Sequence, residues 1–208
     1  MDSKTTATPA RRQRADGERS RQTILRAAAN LATVDGLDGI SIGNLAAHIG
    51  MSKSGLYAHF GSKQELQLAT VETARAIFGD EVIKPSQTIA DPLKRLQALL
   101  DGFLSHLERH VFPGGCFFAS TTAEFDTRTG PVRERIAAIQ QEWVARIALL
   151  IREAQAAGSL SASEDPSQLA FELHAYLLMG NNGFVLYDDA EYLHRARTAI
   201  AARLARAA

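Results

Sequence analysis

The 23-residue stretch SIGNLAAHIGMSKSGLYAHFGSK, which begins at Ser41, constrains the fold of this chain more than any other segment. Apolar residues recur at helical spacing on both sides of Gly50, and a glycine commonly ends a helix. Ser41 and Ser52 stand where helix N-caps are expected. The pattern predicts one short helix over residues 42–49 and a second that starts at Ser52. Two short helices joined by a tight glycine turn form a helix-turn-helix.

Helical patterns also account for the chain on both sides of this stretch. Residues 20–35 are amphipathic and predict a first helix, and an S-x-x-E capping box at Ser62 begins a longer helix that ends before Pro85. Residues 84–90 are predicted to form a loop. Two Asp-Pro helix starts, glycine breaks and apolar periodicity predict five more helices, at residues 91–110, 116–125, 131–158, 165–187 and 191–207. Because no stretch is typical of a strand, the sequence predicts an all-α fold of about nine helices.

The formal net charge of the chain is zero, but the charge is distributed unevenly. Residues 1–63 contain nine Lys or Arg against five Asp or Glu, whereas residues 64–208 contain fourteen against eighteen. The positive excess therefore coincides with the helix-turn-helix, which suits a DNA-binding head on a more acidic body. Residues 1–17 have no apolar periodicity and are predicted to form a flexible basic arm. This arm contains three arginines, Arg11, Arg12 and Arg14. Their side chains either contact DNA, at a phosphate or in the minor groove, or remain in solvent.

Several classes of protein are disfavoured by what the sequence lacks. The single cysteine, Cys116, excludes an intrachain disulfide, and the polar N-terminal stretch does not resemble a signal peptide. No apolar run has the length of a membrane span, so we expect a cytoplasmic protein without a membrane partner. The chain contains no HExxH, G-x-S-x-G, P-loop or GxGxxG motif. We therefore expect no enzymatic activity, no cofactor and no metal site.

Residues 18–66 closely resemble the DNA-binding domain of the tetracycline-repressor (TetR) family of bacterial transcriptional regulators. The resemblance is carried by the order of the helices and by the pattern SIGNLAAHIGMSKSGLYAHFGSKQEL. The segment PGGCFFA, followed by AEF and GPVR, resembles a subgroup of the family's C-terminal domains. The resemblance implies a helix-turn-helix DNA-binding domain at residues 18–63. It also implies a helical effector-binding and dimerisation domain at residues 64–208.

Members of this family bind palindromic operators as homodimers and are released by a small molecule. The resemblance therefore implies operator DNA, a second copy of the chain and an effector as partners. The helix that begins near Lys63 would transmit the effector's signal to the head.

The predicted DNA contacts combine local chemistry with the family pattern. Helix N-termini attract phosphate, and Lys53 can pair with a phosphate or a guanine, while Gly55 allows close backbone approach. Tyr57 and His59 resemble the family's backbone-contacting positions, although the Tyr57 ring can instead pack on the small domain. The complete set is Ser41, Ser52, Lys53, Ser54, Gly55, Tyr57, His59 and Lys63.

Two further sets of residues are predicted in the body. Aromatic area with a few polar groups suggests an effector pocket walled by Phe103, Phe118, Phe125, Trp143, Phe171, His174 and Tyr176, although such residues can also be plain core. The last two helices suggest a dimer interface formed by Leu177, Gly180, Asn181, Phe184, Tyr187, Leu193, Ala196, Ile200 and Leu204, some of which can belong to the intrachain core.

Two alternatives to a ligand-released repressor remain open from the sequence. One is a helix-turn-helix regulator that binds DNA constitutively, without an effector. The other is a thiol-based sensor of electrophiles or oxidants, because Cys116 follows two glycines at a predicted helix N-terminus, where a thiol pKa is lowered. The neighbouring phenylalanines favour a dry, inert cysteine instead.

Overall fold

The computed structural model describes residues 9–208, and the side chains from Gly17 onward. This part of the chain is all-α, without a strand, and folds into nine helices, as predicted. They are α1 (Pro9–Asp35), α2 (Ile42–His48), α3 (Lys53–Phe60), α4 (the consecutive segments Lys63–Phe78, Gly79–Ile83 and Lys84–Gln87), α5 (Pro92–Glu108), α6 (Phe117–Phe125), α7 (Pro131–Ala156), α8 (Pro166–Tyr187) and α9 (Glu191–Ala207).

The first helix begins earlier than predicted. Because α1 starts at Pro9, residues 9–17, which we expected in a flexible arm, are helical. Proline at the first helical position needs no backbone N–H, which explains the start. The rest of the predicted arm, residues 1–8, lies outside the described residues.

The fourth helix continues through the predicted loop. After Phe78 the backbone forms a π-helical turn, Gly79–Ile83, and then a short α-helical segment, Lys84–Gln87, so the prediction of a loop over residues 84–90 was wrong for its first half. Proline usually disrupts a helix because it lacks an N–H and clashes with the preceding turn. Pro85 is tolerated because it stands in the first turn of the segment that follows the π-helical turn.

The helix-turn-helix packs on α1 through a small buried core. Ile24, Leu45 and Leu56 have at most 1% exposure, as expected from the sequence pattern. The Arg21 guanidinium donates from Nη1 to the His59 carbonyl at 2.6 Å and lies 4.5 Å from the centroid of the Phe60 ring. This one side chain therefore fixes the C-terminal end of α3 against α1.

The body is built on α7, α8 and α5, with α9 packed along α8. α4 contacts both α1 in the head and α7 in the body, and Arg75 of α4 pairs with Glu142 of α7 at 2.9 Å. α4 is thus shared between the two parts of the molecule.

Candidate functional site

Three serine caps set the helices of the DNA-binding head. Ser52 Oγ accepts from the Gly55 N–H at 3.1 Å, and Ser62 Oγ accepts from the Glu65 N–H at 3.1 Å. Ser41 forms a capping box in which its Oγ accepts from the Asn44 N–H at 3.1 Å, while Asn44 Oδ1 accepts from the Ser41 N–H at 2.6 Å. Such caps are typically worth about 1 kcal/mol each. They fix where α2, α3 and α4 begin.

The exposed face of α3 carries most of the predicted DNA contacts. Leu56 and Phe60 face the core, whereas Ser52, Lys53 and Ser54 are exposed. Tyr57 is 56% exposed, and within the described residues its hydroxyl has no hydrogen-bond partner. An open phenol on a helix that follows a glycine turn is free to donate to a phosphate.

Two of the other predicted contacts, Lys63 and His59, have partners within the chain. The Lys63 ammonium pairs with Asp38 at 2.8 Å. His59 is partly buried, and its backbone carbonyl is bound by Arg21. Lys53 lies over Gly43, where a β-carbon would come within 3.2 Å of Lys53 Cε. A side chain at position 43 would therefore crowd Lys53. Gly43 thus belongs with the predicted DNA contacts, although the sequence did not single it out.

A cluster of charges joins the head to the body. Arg128 donates to Asp38 at 2.8 Å beside Lys63, and the two cations hold the pKa of Asp38 well below its usual range. Glu124, near the end of α6, accepts the backbone N–H groups of Leu37 and Asp38, each at 2.7 Å. The link between α1 and α2 is therefore held by a carboxylate from the body.

A cavity of about 520 Å³ opens among α4, α5, α6, α7 and α8. Its aromatic wall is a set of rings in mutual contact. The Phe78 and Trp143 centroids lie 5.1 Å apart in an edge-to-face arrangement, and Phe103 stacks on Trp143 at 6.1 Å. The remaining walls include Phe118, Cys116 and residues of the π-helical turn. A concave site of this size, with contacting aromatic rings in its wall, suits a small organic ligand.

Four of the seven residues predicted for the effector pocket line this cavity: Phe103, Phe118, Trp143 and His174. The other three lie elsewhere. Phe125 is buried at the far end of α6 under the Arg128 guanidinium, and Tyr176 packs on the body core. Phe171 is 66% exposed on the outer face of α8.

The sequence reading missed the contribution of α4 to the cavity. Phe78, Gly79 and Ile83 line the wall because the helix continues through the π-helical turn instead of ending. An aromatic residue followed by a glycine at the end of a periodic run was the available signal. Pro85 nevertheless favoured a loop over a helix that continues past Gly79.

Two titratable groups of the cavity wall, Cys116 and His174, are uncharged at neutral pH. Burial raises the pKa of the Cys116 thiol to about 11 and lowers the pKa of His174. The thiol is therefore protonated at neutral pH, with only about one part in ten thousand as thiolate. Since the thiolate is the reactive form, this environment argues against the thiol-sensor alternative.

Most residues predicted for the dimer interface are buried within one chain, as the alternative of an intrachain core allows. Small and apolar side chains join α8 to α9 or to the core: Leu177, Gly180, Phe184, Leu193, Ala196, Ile200 and Leu204. Asn181 is also buried, and its Oδ1 accepts the Cys116 N–H at 2.9 Å. Only Tyr187 is open, with 60% exposure. Helical periodicity identified the apolar face but not what that face packs against.

Membrane-spanning helices and metal-binding clusters are both absent from the described part of the chain, whose backbone covers residues 9–208. Within that range, no helix is long and apolar enough to cross a membrane. Among residues 17–208, whose side chains are described, no group of three or more His, Cys, Asp or Glu side chains is arranged to hold a metal ion.

Comparisons with known proteins agree with this architecture. Residues 24–70 match "Bacterial regulatory proteins, tetR family", and residues 92–200 match "Tetracyclin repressor-like, C-terminal domain". A curated relative, the transcriptional regulator AcuR of Cereibacter sphaeroides, is 28% identical over 159 residues, which cover 74% of this chain and 71% of AcuR.

Solved structures extend the similarity to the whole fold. A TetR transcriptional regulator from Chloroflexus aurantiacus has a TM-score of 0.82 and 29% identity, over 92% of this chain and 96% of that one. AibR, crystallised with isovaleryl coenzyme A and operator DNA, has a TM-score of 0.68 and 25% identity, over 86% of this chain and 95% of AibR. The chain is a DNA-binding transcriptional regulator by fold and sequence. It belongs to the tetracycline-repressor family.

Proposed function

We propose that this protein is a ligand-responsive repressor that binds a palindromic operator as a homodimer and leaves it when a small molecule enters the cavity. One observation carries the proposal. α4 begins in the head, where Ser62 caps it and Lys63 pairs with Asp38, and it ends as a wall of the cavity at Phe78 and the π-helical turn. A ligand that displaces this wall therefore acts on the helix that holds the helix-turn-helix.

A second helix connects the same two places. α6 begins beside the cavity, where Cys116 and Phe118 line the wall, and near its other end Glu124 binds the backbone between α1 and α2. Carboxylate bonds to backbone N–H groups are charge-assisted and resist stretching. Movement of α6 on ligand binding would therefore reach the head through a rigid contact.

In the repressing state, we propose that α3 lies in the major groove of the operator. Lys53 and Ser54 contact base edges or phosphates from its first turn, and Gly55 permits close approach. Tyr57 donates to a phosphate, with Ser41, His59 and Lys63 at the flanking backbone. For Lys63 to contact DNA, its ion pair with Asp38 must open, so we expect its contribution to be smaller than that of Lys53.

The dimer would form through the face of α8 that the chain itself leaves open. Phe171, Met179 and Leu186 are 66%, 57% and 73% exposed, and they share one face of the helix. Beside them, α9 exposes a row of small residues, Thr198, Ala201, Ala202 and Ala205, which allows close approach of another helix. A second copy is the occupant we propose, because a two-fold axis there places two α3 helices on one palindromic operator.

The relatives support both halves of the proposal. AibR has been crystallised with an acyl coenzyme A and operator DNA together, which joins ligand and operator in one protein of this fold. We expect the present chain to act in the bacterial cytoplasm at its operator, without a cofactor.

A mobility-shift titration tests the proposal directly. The DNA upstream of the protein's own gene is the first probe, with a scrambled duplex of equal length as control. We expect a saturable shift on the first duplex that a small-molecule library reduces. Absence of a specific shift would contradict the repressor function. A shift that no compound affects would favour the constitutive regulator. If electrophiles release the protein from DNA and the Cys116→Ser variant is not released by them, the thiol sensor would be favoured.

A further inference from the structure

Trp143, a residue of the cavity wall, carries a buried hydrogen-bond donor without a partner. Trp143 lines the cavity with only 6% of its surface exposed, and within the described residues its indole Nε1 has no acceptor. A buried donor that stays unpaired is unfavourable, and most such groups in native proteins find an acceptor. A ligand that supplies an acceptor at this position would remove the penalty.

The rings around that donor favour a planar ligand. Phe78 meets Trp143 and Phe118 edge to face, with interplanar angles of 86° and 88°. Aromatic pairs prefer such edge-to-face and offset contacts to a face-to-face sandwich, and these contacts are stabilising beyond the area that they bury. An inserted ring would extend this set of contacts, and 520 Å³ leaves room for it.

The charges near the cavity mouth are already neutralised by one another. Arg75 pairs with Glu142 and Glu72, and Lys84 pairs with Asp80. Among the described residues at the rim, Arg146 is the cation without an ion pair, and it is exposed, so solvent weakens any attraction to an anion there. Moving a charged group past these ion pairs, to the buried rings of Phe78, Phe118 and Trp143, would be costly.

We propose that the ligand of this cavity is an uncharged molecule with an aromatic ring and a carbonyl-type acceptor, in which the ring packs against Phe78 and Phe118 and the acceptor receives the Trp143 Nε1–H. The identification rests on the proposed function, because it assigns a chemical class to that function's effector. An aryl ketone is the simplest representative of the class.

Three probes of nearly equal shape test the assignment: acetophenone, ethylbenzene and benzoate. Trp143 is the only tryptophan in the chain, so ¹⁵N-labelled protein gives a single indole N–H signal in an NMR spectrum. We expect acetophenone to move that signal downfield and to bind about tenfold more tightly than ethylbenzene, the factor for one hydrogen bond. Benzoate should bind most weakly. Equal affinity for acetophenone and ethylbenzene, or tightest binding of benzoate, would overturn the proposed class.

Two variants separate the donor from the rings. In Trp143→Phe, which keeps a ring but removes the N–H, the ratio of acetophenone to ethylbenzene affinity should fall to about one. In Phe118→Leu, both affinities should fall together and the tenfold ratio should remain. A ratio that stays near ten in Trp143→Phe would contradict the role of the indole. If that variant does not fold, the NMR signal of the unmodified protein still decides the question.

The probes also distinguish this inference from the proposed function. If benzoate bound most tightly and displaced operator DNA, the ligand class would be wrong while the ligand-released repressor stood. If the three probes followed the expected order but neither aryl ketones nor any other compound affected operator binding, the cavity's chemistry would stand while effector release failed.

Discussion

The exposed face of α3 and the aromatic cavity are built in opposite ways. The polar side chains of α3 lie within a few residues of one another and are positioned by a cap on their own helix, as in the bond from Gly55 to Ser52. The cavity takes its wall from five helices, and its rings come from positions as distant as Phe78 and Trp143. Local sequence spacing therefore determines the first site, whereas tertiary packing determines the second.

The contrast has an energetic consequence. Side chains such as Tyr57 are exposed and contribute little to folding, so their removal should weaken DNA binding and leave stability unchanged. The aromatic cluster around Phe78 is buried, so changes there should alter stability as well as ligand binding. Four substitutions test this division.

The largest effect should come from a change far from both sites. Phe171→Glu places a charge in the proposed dimer face, where it would be desolvated, and should therefore produce monomers. A monomer loses the second half-site, so operator affinity should fall by at least about 100-fold, or roughly 3 to 5 kcal/mol. Analytical ultracentrifugation and a mobility shift measure the two outcomes.

Val34 provides the matched control for that change. It is 64% exposed, nearly the same as Phe171, but it lies at the end of α1 in the head. Val34→Glu should leave the dimer intact. If both variants dissociate, or if neither does, the dimer contact lies elsewhere than at the Phe171 face. Operator binding through α3 would then depend less on the body than we propose.

A buried histidine tests the body side of the comparison. His106 is 1% exposed between Phe78 and Phe112, neither ring nitrogen has a partner among the described residues, and burial lowers its pKa from 6.5 to about 4. Between those pH values His106 binds a proton in the unfolded chain but not in the folded chain. Stability should therefore fall by about 3 kcal/mol as the pH drops from 6.5 to 4.

Replacing that side chain should remove the dependence. His106→Phe keeps a ring of similar size, so the urea unfolding free energy should lose most of its slope in this pH window. His48→Phe, a change at an exposed position, should retain the slope. An unchanged slope in His106→Phe would assign the acid sensitivity to other groups.

The head side of the comparison is tested by Tyr57→Phe. Loss of one hydroxyl bond to a phosphate should weaken operator binding by roughly 1.5 kcal/mol for each half-site, with no change in the melting temperature. Tyr192→Phe is the control, because it removes the same hydroxyl at a partly buried position on α9, away from the head. Equal operator affinity of Tyr57→Phe and the unmodified protein would remove Tyr57 from the proposed contacts.

The same contrast explains what the sequence could predict. The helix-turn-helix was predicted in detail because caps, a glycine turn and apolar spacing are local signals, and Ser52, Leu56 and Ser62 act as expected. The cavity was predicted only in part. Trp143 and Phe118 face it, but Phe171, which has the same aromatic character, lies on the outer surface. Periodicity shows that a helix has an apolar face without showing what will cover it.

The remaining differences have the same origin. Gly180 and Ala196 are small because α8 and α9 of one chain approach closely, and a β-carbon on Gly180 would lie 2.9 Å from that of Ala196. Small residues on paired helices look the same in sequence whether the partner helix belongs to the same chain or to another. The π-helical turn was not predicted because proline normally ends a helix whose backbone hydrogen bonds follow the regular α-helical pattern. Before Pro85 that pattern changes to the π-helical one, and the helix continues.

The smallest effect should come from Gly79, where the two regions meet. Gly79 has ordinary helical dihedral angles, and a β-carbon there would meet nothing within 4 Å, so Gly79→Ala should raise the unfolding free energy by about 0.5 to 1 kcal/mol. Gly180→Ala makes the same change at a crowded position and should be destabilising. If the Gly79→Ala variant binds acetophenone normally but is released less readily from operator DNA, that result would show that effector release requires the cavity wall to deform at Gly79. A stabilised variant with normal release would mean that α4 transmits the signal as a rigid helix.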